Sequence, residues 1–293
     1  MTQLILQSVV SGILVGGMYG LVALGLALAF GVLKVLDVAH GELLMLGGYA
    51  SFFAFTFWGL DPFVSMPLVF VAMFGFGVIL YLVLFRYVTR TEIHTRIKNS
   101  LLISFGLVLV LQALAVRFFT ADERTISTAY SLEALTIGPV RVPVVRLAGL
   151  VVAVSAALAL EWLLSRTRFG RALRATSEDW TRAALTGVNV RRVYLIAFAI
   201  SAALAAIAGS LVSMGYSISP SIGLGWTLKA LIVVVLAGLG SMRGIIVAGI
   251  FLGLVESLAS VWLGGQYREV VALVLFLVIL SFRPHGFYGR AHA

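Results

Sequence analysis

Residues 4–33 read LILQSVVSGILVGGMYGLVALGLALAFGVL, thirty positions without a single Asp, Glu, Lys, Arg or His. A helix crosses a bilayer with about 20 consecutive, mostly apolar residues, so this stretch predicts a membrane span. At about 1.5 Å per residue it would be about 45 Å long, against a hydrocarbon core of about 30 Å. Either it tilts, or its end leaves helix geometry inside the membrane. Residues 43–60, 63–85, 99–116 and 193–228 are charge-free in the same way. Transmembrane β-strands alternate apolar and polar residues over about ten positions, whereas these runs are continuous, so the spans are helices. Composition agrees. Of 293 residues, 61% are hydrophobic and 11% charged, with a mean hydropathy of +1.09, and soluble domains carry about 25% charged residues. The sequence therefore predicts an all-α integral membrane protein, a single domain over residues 1–293 forming a polytopic bundle of 8–9 transmembrane helices with interrupted segments.

The net charge is +9. In a soluble protein that excess would suggest nucleic acid; here the positive-inside bias accounts for it. Arg86, Arg90, Arg96 and Lys98 lie between two apolar runs, and Arg166, Arg168, Arg171, Arg174, Arg182, Arg191 and Arg192 fill another connection. With Arg283 and Arg290, these stretches hold thirteen of the 21 basic residues. All three are expected on the cytoplasmic side, the C-terminus included, which puts the charge-balanced segment 117–146 outside. There is no cysteine, hence no disulfide and no thiolate metal site. The first run lacks a basic n-region and exceeds the length of a signal-peptide core, so it reads as a retained span.

Two interruptions carry the chemistry. Lys34-Val-Leu-Asp37-Val-Ala-His40-Gly41-Glu42 sets four ionisable groups in nine residues between apolar runs, with Gly47, Gly48 and Tyr49 just beyond. Such groups at membrane depth line a cavity, pair, or lie at the interface. An interfacial loop is the plainer reading; a wall of a substrate path is the functional one, because broken helices are tolerated only where buried in protein or facing water. His40 and Glu42 point about 200° apart on a helix, so they cannot share a metal ion easily. Asp37 and His40, three apart, could share a face and hydrogen-bond. The second interruption is Tyr216-Ser217-Ile218-Ser219-Pro220, either an external loop or a polar patch on the same path. Glu256 stands alone in residues 244–263: a carboxylate satisfied by a neighbouring helix, a pathway group, or a proton carrier. Gly12/Gly16/Gly20, Gly240/Gly244 and Gly249/Gly253 recur at four-residue spacing, which lets helix backbones touch. Contact within the chain is favoured over dimerisation.

Residues 165–192 form the longest basic connection. Ser177 followed by Glu178 and Asp179 reads as a helix start, and Gly187 as its stop. A short amphipathic helix there suits docking onto a partner, against the alternative of a loop that merely holds arginine inside. No GxxxxGK[ST] run, GxSxG elbow or HExxH helix occurs. The chain cannot hold ATP in a phosphate-binding loop of its own, and no catalytic residue is assigned.

Residues 31–49, GVLKVLDVAHGELLMLGGY, resemble the first-helix motif of the branched-chain amino acid permeases of bacterial ABC importers. So do FGRALRA at 169–175 with the following loop to Val190, GLGSMRG at 238–244 and FRPHGF at 282–287. The resemblance runs along nearly the whole chain in order. It implies a permease subunit in the bacterial cytoplasmic (inner) membrane, paired with a homologous second permease, driven by two cytoplasmic ATPase subunits that carry the ATP-Mg, and fed by an extracytoplasmic substrate-binding protein. By the same resemblance, residues 165–192 become the ATPase coupling loop, with Arg171, Arg174, Glu178, Asp179 and Gly187 as its contacts, and Asp37, His40, Gly41, Glu42, Tyr49, Tyr216, Ser217, Ser219 and Glu256 as the substrate pathway. Asp37 stands where the family usually has Asn, and Arg243 where Pro or an apolar residue is common. Related permeases carry urea and amides as well as amino acids. The competing class is a stand-alone ion- or proton-coupled carrier or channel using Asp37, His40 and Glu256.

Overall fold

The computed structural model describes residues 2–131, 133–138, 140–238, 244–283 and 286–287. Its helices are α1 (Thr2–Leu33), α2 (His40–Trp58), α3 (Pro62–Val88, with one wide turn at Tyr81–Phe85), α4 (Ile93–Phe119), α5 (Val144–Arg166), α6 (Arg168–Glu178), α7 (Trp180–Leu185), α8 (Val190–Gly215), α9 (Ile222–Ala237), α10 (Ile245–Leu263) and α11 (Arg268–Phe282). Seven helical segments among the described residues are long and apolar enough to cross a membrane, which makes this a multi-pass, all-α membrane protein. The helices α2 and α9 fall outside that set. Residues 239–243, 284–285 and 288–293 lie outside the described residues, and with them Gly240, Arg243, Arg290 and parts of the two C-terminal sequence blocks.

The axis of the bundle is α1. Its most apolar window is 89% buried, against 17% for α5 and 6% for the segment ending in α11. It remains helical to Leu33 and then breaks at Lys34, whose φ of 54° is left-handed, a conformation uncommon outside glycine. The whole over-long first run is thus helical, and helix geometry is left only at the residue that follows it. Against α1 lies α10, antiparallel. A Cβ on Gly16 would sit 2.6 Å from the Gly249 carbonyl oxygen, and one on Gly12 would sit 2.8 Å from that of Gly253. The glycine spacing therefore serves contact within the chain, as lipid-embedded helices without a hydrophobic drive need close backbone packing.

One end of the bundle is closed by a hairpin, β1 (Ala134–Ile137) against β2 (Val140–Pro143), antiparallel. Gln7 at the start of α1 binds both the N–H and the carbonyl of Arg141. Tyr130 donates to Asp61, the residue that caps α3, at 2.6 Å. The opposite, basic end carries α6, α7 and the connection from α3 to α4. The outward faces of α3, α4, α5 and α11 bear exposed Leu, Val, Ile and Phe, which suits lipid.

The glycine seam yields a contrast. Gly16→Val should destabilise the purified protein by about 1–3 kcal/mol, the usual cost of overpacking. Gly106→Ala, where nothing lies within 4 Å of the added methyl, should leave stability unchanged or raise it slightly. Thermal unfolding in detergent, scored on both variants, checks this.

Candidate substrate pathway

Residues 34–39 link α1 to α2 without helix, deep among buried residues; Asp37, His40 and Glu42 are all 0–1% exposed. Backbone groups freed by such a break need partners, and α4 supplies most of them. The Arg96 guanidinium, itself 1% exposed, donates to the carbonyls of Leu33, Thr89 and Thr91 and to the Tyr194 hydroxyl. One turn on, Ser100 Oγ accepts from Leu36 N at 3.1 Å. Another turn on, Ser104 Oγ donates to Leu36 O at 3.3 Å. Two turns further, Gln112 donates to Glu42 Oε1 at 3.1 Å. The intervals are multiples of four, so each neighbour shares a face with the last.

The other support is Thr227 on α9. Its Oγ1 accepts from Gly41 N at 2.8 Å, and its proton faces the carbonyls of Val38 at 3.0 Å and Gly223 at 3.1 Å. The first turn of α2 has no side-chain cap of its own, so a threonine from another helix fills that place. Gly223 is required here because a Cβ would collide with the Glu42 carboxylate. His40 Nε2 lies 3.0 Å from Val22 O.

The anticipated Asp37–His40 hydrogen bond is not made. Asp37 Oδ1 accepts from Ala39 N, and both Asp37 Oδ2 and His40 Nδ1 lack a partner. Asp37 precedes the helix, so spacing of three does not place it on the His40 face. Glu42 Oε2 is also without a partner. Three buried, half-satisfied groups thus crowd one helix break. Among the described residues no group of three or more His, Cys, Asp or Glu is placed to hold a metal.

Tyr49 lies two turns along α2, stacked on Phe119 at 4.5 Å, with its hydroxyl unpartnered. The second interruption reaches it through Ile218, which packs on Met45 and Tyr49, and not through its hydroxyls. Ile218 also pairs in both directions with Arg124 of the hairpin-end segment. Ser217 and Ser219 stay at the rim, Ser219 Oγ 3.2 Å from Ser221 Oγ. Tyr216 packs edge-on to Trp226 beneath Arg146.

Glu256 belongs to a separate cluster. Tyr19 donates to its Oε2 at 2.7 Å, and Lys229 Nζ and Arg268 Nε each lie 3.8 Å from that oxygen. Lys229 and Thr227 sit two positions apart, and so project from nearly opposite sides of α9.

At the basic end, the helix expected to begin at Ser177 is two helices. Thr167 caps α6, and Asp179 caps α7 by accepting from the amides of Thr181 and Arg182. Ser177 merely donates to Arg174 O. Gly187 follows the last turn with a φ of 83°, a left-handed stop. Arg174 covers the Leu164 carbonyl at the end of α5, while Arg171 and Glu178 are exposed. Ala175, Glu178, Asp179, Arg182, Ala183 and Thr186 line a cleft of about 410 Å³ between α6 and α7.

An apolar helix bundle broken near its core, with the break held by polar side chains from neighbouring helices, is the architecture of a membrane transport protein. This chain belongs to the family described as branched-chain amino acid transport system / permease component, which matches residues 8–280. It is 32% identical to the high-affinity branched-chain amino acid transport system permease protein BraD of Pseudomonas aeruginosa, over 97% of this chain and 96% of that one. It is 30% identical to the permease protein LivH of the corresponding Escherichia coli K12 system, with the same coverage. The probable permease LivH of Methanocaldococcus jannaschii is 24% identical over 92% of this chain and 88% of its own length. No solved structure matches the chain.

The Asp179 carboxyl is held below the usual carboxylate range, first by the Thr181 hydroxyl and then by the Arg182 amide. A lowered native value means the cap is fully present above the unfolded carboxylate pKa and is lost as pH falls through the native one. Amide exchange at Thr181 and Arg182 should therefore be insensitive to pH between 6 and 8, beyond the intrinsic chemical trend, and accelerate on acidification below about pH 4. Asp179→Ala should show the faster exchange already at neutral pH, and Asp179→Asn should largely prevent it.

Proposed function

We propose that this chain is the membrane-spanning permease subunit of an ATP-driven ABC importer for branched-chain amino acids or related small polar solutes such as amides and urea. The observation that carries the reading is the buried, half-satisfied break at residues 34–39 in a chain of this family. Asp37, His40, Gly41 and Glu42 form the wall of the path, Tyr49 flanks it, and Tyr216, Ser217 and Ser219 stand at its mouth on the hairpin end. On this reading α2 and α9 join the seven long spans of the described residues as membrane segments. Thirteen basic residues in three stretches support a cytoplasmic basic end and a cytoplasmic C-terminus, in the bacterial inner membrane, with the whole of residues 1–293 as one domain.

Residues 165–192 serve as the coupling loop. An exposed cleft beside exposed Trp180 and Leu185 suits a docked ATPase, with Arg171, Arg174, Glu178, Asp179 and Gly187 at the contact. The partners are a homologous second permease forming a heterodimer, two ATPase subunits that bind ATP-Mg, and an extracytoplasmic binding protein. This chain contributes no catalytic group.

Purification of the tagged chain expressed with its neighbouring genes, followed by ATP hydrolysis assays, tests the reading. Two ATPases and a second permease should copurify, and hydrolysis should rise when leucine-loaded binding protein is added. Glu178→Lys with Asp179→Lys should lower ATPase recovery at least several-fold while the permease pair still forms. A chain that purifies alone and transports without ATP would instead favour the ion-coupled carrier.

A further inference from the structure

The cluster around Glu256 is built like a receptor that is only partly filled. Glu256 itself is fully buried, yet neither cation beside it comes within hydrogen-bonding distance of its carboxylate; both stand at 3.8 Å. Lys229 spends one N–H on the Tyr19 hydroxyl at 2.9 Å and lies 4.8 Å from the Tyr19 ring centroid. Arg268 uses one amino group on Ser257 Oγ at 3.2 Å, and its Nε has no hydrogen-bond partner. Glu256 Oε1 has none either. The following acid, Glu269, is exposed.

Buried ion pairs hold together well only when geometry is tight and the remaining donors are filled. Here Arg268 Nε has no hydrogen-bond partner and Lys229 Nζ donates to the Tyr19 hydroxyl alone, while the two cationic side chains keep 19% and 31% of their surface exposed. A file of rings and cations leads to them from the hairpin end. Arg146 lies over the Tyr216 ring at 5.6 Å, Tyr216 meets Trp226 at 6.0 Å, and Trp226 meets Tyr19 at 5.7 Å. Unpaired N–H donors on two cations match a carboxylate, which accepts charge-assisted bonds on both oxygens.

We propose that Lys229 and Arg268, seated by Tyr19, form a transient binding site for the carboxylate of the incoming amino acid, and that Glu256 is the built-in anion that holds the two cations in place while the site is empty. The proposal rests on the importer reading above and extends it to a substrate class, solutes bearing a carboxylate. Trp226 and Tyr216 then offer apolar ring surface to the rest of the solute.

The test is leucine uptake into proteoliposomes of phosphatidylcholine containing the whole complex, with binding protein and ATP. Lys229→Gln and Arg268→Gln should each raise the apparent KM about tenfold or more, the usual loss for a bond to a charged group, with ATP hydrolysis stimulated by loaded binding protein retained. Lys229→Arg, which keeps the charge, should stay within a few-fold of wild type. Glu256→Gln, which keeps an acceptor for Tyr19 but removes the anion that competes for the two cations, should lower the apparent KM several-fold, and a KM that is unchanged or raised overturns that role. A purely structural ion cluster would make Glu256→Gln as damaging as Lys229→Gln, and that equivalence overturns the proposal, as does unchanged KM in both cation variants. Variant effects seen only when anionic lipid is present would assign the cations to lipid headgroups and overturn it too. Wild-type complex that moves no leucine at all contradicts the importer reading itself, an outcome visible before any variant is made.

Discussion

Inside lipid, a backbone N–H or carbonyl released from a helix has no water to fall back on, and residues 34–39 are where this chain meets that constraint. Everything around the break answers it. Arg96 takes the last carbonyl of α1, Ser100 and Ser104 take both groups of Leu36, and Thr227 takes the first free amide of α2. Four side chains from two helices thus hold open a conformation that a continuous helix would remove. The price is three buried polar atoms, on Asp37, His40 and Glu42, that the chain itself does not satisfy. Unsatisfied buried groups are costly, and their concentration at one point is what supports the proposed substrate path there.

The rest of the bundle arranges rigid elements around that point. The glycine seam locks α10 to α1, and α9 is wedged against both α1 and α2. Because Thr227 and Lys229 leave α9 in nearly opposite directions, one helix joins the broken segment to the Glu256 cluster. Movement of α9 would change both sites together. The α6–α7 pair lies at the opposite end from the hairpin, tied to α5 through Arg174 and Leu164. The proposed substrate path and the proposed coupling loop are therefore separated along the bundle axis.

Much of this was legible in the sequence. Charge-free runs placed the long helices, although the thirty-residue first run, expected to tilt or to leave helix geometry at its end, is helical throughout and the chain breaks only after it. The four ionisable groups of residues 34–42 located the break. The helices' mutual register was not legible, since a lone Ser100, Ser104, Gln112 or Thr227 in an apolar helix resembles any other small polar residue until its neighbour is known. The four-residue rhythm from Arg96 through Gln112 was the available signal. Asp37 and His40 misled because helical spacing was assumed for a residue that lies outside a helix. Ser177 misled because Asp179, two residues later, offers a stronger acceptor to the following amides. Glu256 read as isolated because its partners lie at Tyr19, Lys229 and Arg268, far away in sequence.

The most direct measurement uses the absence of cysteine from the chain. Single cysteines at Val38, Glu42, Leu102 and Leu185 can be probed in the assembled complex with a charged maleimide, which reacts with thiolates in water and not in lipid. If the break lines an aqueous path, Val38→Cys and Glu42→Cys will react, at rates that change on adding ATP with loaded binding protein. Leu102→Cys, on the exposed apolar face of α4, will remain unlabelled, and Leu185→Cys in the basic loop will react throughout. Silence at both 38 and 42 in every nucleotide state, with Leu185→Cys fully labelled, would contradict the placement of the substrate path at the break.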